Sequence, residues 1–204
     1  NLRTNPNVIS AAGSMESLPM RGWMTMMIPN FENPETKIKV EGFAVDYNFL
    51  KTMGIKVIEG REFSEDFGSD MNRASILNET AVRALGIKDP VGKKMHDGNV
   101  IIGVVKDFNL HSFHSDIPPL TIHMTNRYIQ QVAVRIKPGS RNAVLSFIEA
   151  EWKEAAPDRP FLYQTIESLI ESLYSSEKNL STIVSVFALF TLIISAFGLF
   201  GLIL

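Results

Sequence analysis

Cysteine is absent from the 204 residues, which excludes disulfides and thiolate chemistry. That absence suits a domain outside the cytoplasm, although many cytosolic chains lack cysteine too. A dominant charge is also missing: 20 Lys and Arg face 22 Asp and Glu, a net charge of −2, which removes the electrostatic reason to expect nucleic acid as a partner. The opening "NLRTNP" has no initiator Met, basic n-region or apolar h-region, and is expected to be the start of a segment from a longer protein. Low-complexity tracts, short-period repeats and long disordered linkers do not occur.

Catalytic signatures are equally scarce. The stretch "GIKDPVGKKM" invites comparison with a phosphate-binding loop, which needs four residues between its glycines and a Ser or Thr after the Lys. Here five residues intervene and Lys94 stands where the hydroxyl belongs, so the segment reads as a helix end and a turn. The four histidines are His96, His111, His114 and His123. His111 and His114, near Asp107 and Asp116, offer metal ligands, but no HExxH occurs and a surface loop is the expectation. The Met-rich "MESLPMRGWMTMMIP" suits either thioether coordination of copper or an adaptable partner surface. The partner surface is the favoured reading, with Met20, Trp23 and Met26 as its candidate contacts. No serine has a G-x-S-x-G context, so no catalytic residue, cofactor or metal site is assigned.

What is present in abundance lies at the end of the chain. "STIVSVFALFTLIISAFGLFGLIL" carries no charged residue. As a helix, residues 182–204 would reach roughly 35 Å, enough for a hydrocarbon core of about 30 Å. Thr182, Ser185, Thr191 and Ser195 can return their hydroxyls to helix carbonyls. Ser181, Ser185, Ala188, Thr191, Ser195 and Gly198 recur at helical spacing and form a small-residue face suited to packing on a second membrane helix. Upstream, Ile166, Leu169, Ile170, Leu173 and Leu180 keep helical spacing, Thr165 is a candidate N-cap, and no Pro or Gly intervenes before Gly198. A helix of roughly 40 residues therefore reads as a stiff rod of about 60 Å that leaves an external domain and enters lipid.

The body alternates short strands and helices. Strands are expected in "NPNVISAAGS", "TKIKVEGFAV", "IKVIEG", "ASILN", "VIIGVVKDF", "QVAVRIK" and "PFLYQT". Helices are expected in "YNFLKTM", capped by Asp46 and closed by Gly54, and in "ETAVRALG", capped by Asn78 and ended by Gly86. A third helix covers 140–156, with Val144, Phe147, Ile148 and Trp152 as its buried stripe. The Met-rich stretch and its continuation to "NFENP" read as irregular.

The motifs "VDYNFLKTMGIKVIEGREF", "ILNETAVRALGIKDPVGKKM", "VIIGVVKDFNLHSFHSDIPP" and "FALFTLIISAFGLFGL", in that order, resemble the extracytoplasmic core domain of MacB/FtsX-type ABC transporter permeases. The resemblance covers nearly the whole chain, and its tail is similar to permeases with two such domains, this being the later one. It implies an α+β, two-lobed periplasmic domain over residues 1–165, built of strand–helix–strand units. A porter-like lobe would take about 1–60 and 127–165, and a smaller inserted lobe about 61–126. Residues 166–204 would be a stalk continuing into a membrane span at about 182–204, with residues 1 to about 176 in the periplasm and the span in the inner membrane. The implied job is transmission of ATPase-driven movement across the membrane, MacB-like export being favoured over lipoprotein release or FtsX-like control of cell-wall hydrolases. Implied partners are a cytoplasmic ABC ATPase, a second permease copy, a periplasmic adaptor or cargo, and membrane lipid. A membrane-tethered sensor domain is the rival reading.

Overall fold

Runs of apolar and β-branched residues become strands where a neighbour completes their backbone hydrogen bonds. In the computed structural model, which describes residues 2–16, 24–109, 116–171, 183–192 and 194–195, eight strands form. They are β1 (Val8–Ser14), β2 (Met24–Pro29), β3 (Lys37–Val45), β4 (Val57–Gly60), β5 (Ala74–Asn78), β6 (Val100–Val105), β7 (Leu120–Met124) and β8 (Gln131–Ile136). The helices are α1 (Phe49–Met53), α2 (Glu79–Leu85) and α3 (Arg141–Ala155). One mixed sheet runs β4-β6-β5-β7-β3-β1-β8, and β2 pairs with β3 beside that path. β3 with β7 and β5 with β6 are parallel, and the other pairs are antiparallel. The expected α+β class is what forms.

β5 lies between β6 and β7 with all its residues buried, which explains why "ASILN" shows no alternation. Its successive residues Ile76 and Leu77 belong to different apolar clusters, so the clusters occupy opposite faces of the sheet. One gathers Phe43, Phe49, Leu50, Ile122 and Met124 around α1; the other gathers Val40, Leu77, Ala81, Leu85 and Ile101 around α2. Side chains of this size contribute about 1.5–3 kcal/mol each when fully buried.

Several sequence expectations change. Residues 24–29 are strand β2, because Met26 and Ile28 face the second cluster while Met24 and Met27 stay exposed. "LTIHM", unassigned by pattern, is β7: Thr121 and His123 dilute an apolar run that is buried on both faces. "PFLYQT" has no strand partner among the described residues, so it forms none. Asp46 does not cap α1; it accepts from the Gly13 amide at 2.6 Å and the Asn48 amide at 3.0 Å, tying β1 to the turn before the helix. Asn78 does cap α2, and Gly54 and Gly86 end their helices at left-handed φ of 74° and 66°. In α3 Val144 is buried, whereas Trp152 is exposed with its indole N–H donating to the Arg159 carbonyl at 3.0 Å.

The chain divides into two compact units, Asn1–Leu162 and Tyr163–Leu204. Within the first, the expected lobe boundaries near 60 and 126 are not boundaries of the sheet: β4 pairs with β6, and β7 lies beside β3. In the second, the Thr165 hydroxyl accepts the Ser168 amide at 3.2 Å and the Thr165 carbonyl accepts the Leu169 amide at 3.1 Å, the capping geometry the sequence predicts. Residues 166–171, 183–192 and 194–195 are helical, while 172–182, across which a continuous rod is expected, lie outside the described residues. Among the described residues no helix is long and apolar enough to cross a membrane.

Candidate functional site

Three polar knots sit on the sheet. In the first, β5 and β7 place Ser75 opposite His123, and Ser75 Oγ lies 3.0 Å from His123 Nδ1. Asn99 Nδ2 is 3.3 Å from the same nitrogen and Thr121 Oγ1 is 3.3 Å from Nε2. An amide nitrogen only donates, so Nδ1 is the acceptor and the proton sits on Nε2, toward Thr121. Burial holds this imidazole below its ordinary 6.5, with the charge of Asp97 pulling the other way. A serine hydrogen-bonded to a histidine is the beginning of a nucleophile–base pair. Ser75 and Thr121 are both 0% exposed, however, so the hydroxyl has no route to a substrate and the cluster satisfies buried polar groups inside the sheet. Sequence reasoning missed it because β7 was unassigned; the alternation of Thr121 and His123 is the signal that could have found it.

In the second knot Arg61 clasps Asp70 bidentately, at 2.6 and 2.7 Å. The Ser64 amide adds 3.1 Å, and the guanidinium lies 4.0 Å from the centre of the Phe67 ring. Burial opposes charge on Asp70, but the hydrogen bond from Arg61, the Ser64 amide and the Arg61 charge outweigh it and hold the carboxyl below 3.8. The loop 61–70 is thus closed on itself, and the Asp70 carbonyl accepts the Ala74 amide at 3.2 Å where β5 begins.

The third knot joins the end of β6 to the first turn of α2. Asp107 accepts from the Thr80 amide at 2.9 Å, the Thr80 hydroxyl at 2.8 Å and Arg83 at 3.0 Å, and its own amide donates to Glu79 at 2.9 Å. Asp107 is therefore committed to structure. Among the described residues no group of three or more acidic, His or Cys side chains could hold a metal; His111 and His114 lie outside them.

The Met-rich strand is the exposed feature. Met20 and Trp23 lie outside the described residues. Met26, expected with them at a contact, instead packs inward against the second cluster: a Cβ on Gly42 would come within 2.8 Å of Met26 Cε, so that glycine makes the room it needs. The exposed members are Met24 at 45% and Met27 at 57%. Of the expected small-residue face, Ser185, Ala188, Thr191 and Ser195 are helical and exposed, while Ser181 and Gly198 lie outside the described residues. The Thr191 hydroxyl bonds back to the Phe187 carbonyl at 2.9 Å, as its sequence context predicts.

A family model for the MacB-like periplasmic core domain matches residues 3–149, and the chain belongs to that family, whose members are components of transporter permeases. The periplasmic region of MacB from Actinobacillus actinomycetemcomitans superposes with a TM-score of 0.58 at 15% identity, over 85% of this chain and 79% of that one. The extracellular domain of the noncanonic ABC-type transporter YknZ from Gram-positive bacteria gives 0.55 at 15% identity, over 78% and 81%. At these identities the likeness is one of fold. No curated protein matches the sequence.

Proposed function

We propose that the chain is the periplasmic domain and following stalk of a permease that carries ATPase-driven movement across the inner membrane, in a MacB-like export system. The cytoplasmic ABC ATPase and a second permease copy are its partners on this reading, with residues 1 to about 176 in the periplasm. The observation that carries the proposal is the helical stretch at 183–192 and 194–195. Ile183 (52%), Val184 (59%), Leu192 (69%) and Leu189 (60%) fall about 0°, 100°, 180° and 240° round its axis, and all are exposed. A helix apolar all round needs lipid or protein about it. The four-residue small face supplies a packing surface for a second membrane helix, and the exposed strand supplies a contact for an adaptor or cargo.

The absence of native cysteine makes the test direct. Single cysteines at Glu35, in the exposed turn before β3, and at Ile194 are exposed to a membrane-impermeant maleimide in cells with a permeable outer envelope. The proposal expects labelling of Glu35→Cys and none of Ile194→Cys until detergent is added. Prompt aqueous labelling of Ile194→Cys would remove the membrane span and the transmission role with it.

A further inference from the structure

We infer that the outer edge of β2 is a docking edge for an extended, apolar and acidic segment of a partner protein, which joins the sheet as an added strand. This rests on the proposed partner contact and names its mode. An edge strand presents unpaired N–H and C=O groups, and proteins blunt such edges with charge, irregularity or shortness. Two edges here are blunted. β4 has four residues, includes Glu59 and shifts register between Val57 and Glu59, while β8 carries Arg135 and runs into Lys137. β2 has none of these devices. Its six residues "MTMMIP" are uncharged, they pair with β3 from Met24↔Gly42 to Pro29↔Lys37 without a shift, and among the described residues no second strand covers them. Pro29 withholds a donor only at one end.

The chemistry of the occupant follows from the face beside that edge. Thr25 and Met27 point outward; opposite Met27 and Pro29 stand Lys39 and Lys37, both exposed and without an ion pair among the described residues, and opposite Thr25 stands the half-buried Glu41. An added strand would lie about 5 Å from β2 and about 10 Å from β3, within reach of a lysine side chain. Carboxylates on the face of Met27, toward Lys37 and Lys39, alternating with apolar residues on the opposite face beside the exposed Met24, fit this edge. Pairing of two β2 edges with the same face up would instead gather four lysines against two glutamates, a net excess of like charge, so a partner is favoured over a second copy.

The probe is a short synthetic peptide of alternating Val and Glu, labelled and titrated onto the intact chain in detergent micelles. Binding is expected to fall at least about tenfold when alternate peptide amides are N-methylated, when Lys replaces Glu, and in Lys37→Glu/Lys39→Glu, surface changes that leave the thermal midpoint in place. Equal binding of the methylated peptide overturns strand addition. Equal binding of the Lys peptide overturns the acidic preference, and failure of the Val/Glu peptide to bind overturns both. Self-association abolished by Met27→Lys in a chain that ignores the peptide assigns the edge to a second copy and overturns the inference. A parallel co-purification of Met24→Asp/Met27→Asp reads the contact itself: loss of a partner there, with no effect of N-methylation, leaves the contact standing and sinks edge pairing alone.

Discussion

Asp70 is buried and His123 half-buried, yet only the histidine responds near neutral pH. Asp70 is held below 3.8, so the stability it lends is complete above that value and is lost only as pH falls through its lower folded value. His123 is held below 6.5. Above 6.5 it is neutral in both states; as pH falls further the unfolded chain takes up a proton that the folded chain refuses, so stability declines until the folded value is reached. The urea midpoint is therefore expected to drop between about pH 7.5 and pH 5.5, and His123→Gln should flatten that decline. A slope unchanged in the variant would remove His123 as its origin. Neither group was legible beforehand, because a single histidine or aspartate has no periodicity and its environment is made by residues distant in the chain. Met26 teaches the same lesson. Its composition suggested a contact, and only the pairing of β2 with β3 shows that Met24 and Met27 are the exposed ones.

Elements were legible where their signal is local. The ends of α2, the left-handed Gly54 and Gly86, and the Thr165 cap all come from short-range rules that need no knowledge of the sheet. What the rules undervalue is a cap with a second job. Asn78 is 0% exposed; its Oδ1 accepts from Ala81 N and from Leu120 N, both at 2.8 Å, and its Nδ2 donates to the Pro118 carbonyl at 2.9 Å. It therefore starts α2 and fastens the entry of β7 to the end of β5. A cap alone is worth about 1 kcal/mol, and each buried group left unpaired adds roughly 1–3 kcal/mol. Asn78→Ala should cost about 3–4 kcal/mol in chemical denaturation. A loss near 1 kcal/mol would mean that the link to β7 contributes nothing. The strand expected at "PFLYQT" failed for the converse reason: β character is local, but a strand exists only where a neighbour pairs with it.

At the scale of the whole molecule the order of strands was beyond the sequence. Local pattern suggested three strand–helix–strand units, and one of them, β5–α2–β6, closes on itself as a parallel pair. The first does not: β3 and β4 are separated in the sheet by β7, β5 and β6. That interleaving joins residues expected in an inserted lobe to those expected in the porter-like one. The apolar clusters cross the same line, Phe43 and Phe49 packing with Ile76, Ile122 and Met124. A sheet and core shared in this way cannot release one segment without opening both, so the unit Asn1–Leu162 should unfold as one. In native-state hydrogen exchange at rising urea, the central amides of β3, β5, β6 and β7 should converge on a single opening free energy. If β5 and β6 opened at a free energy lower than β3 by more than about 1 kcal/mol, the inserted segment would be a separate cooperative lobe. Single-unit behaviour suits the proposed coupling role. A load applied at one end of a cooperative sheet is passed on, whereas one applied to loosely joined lobes is spent in the joint.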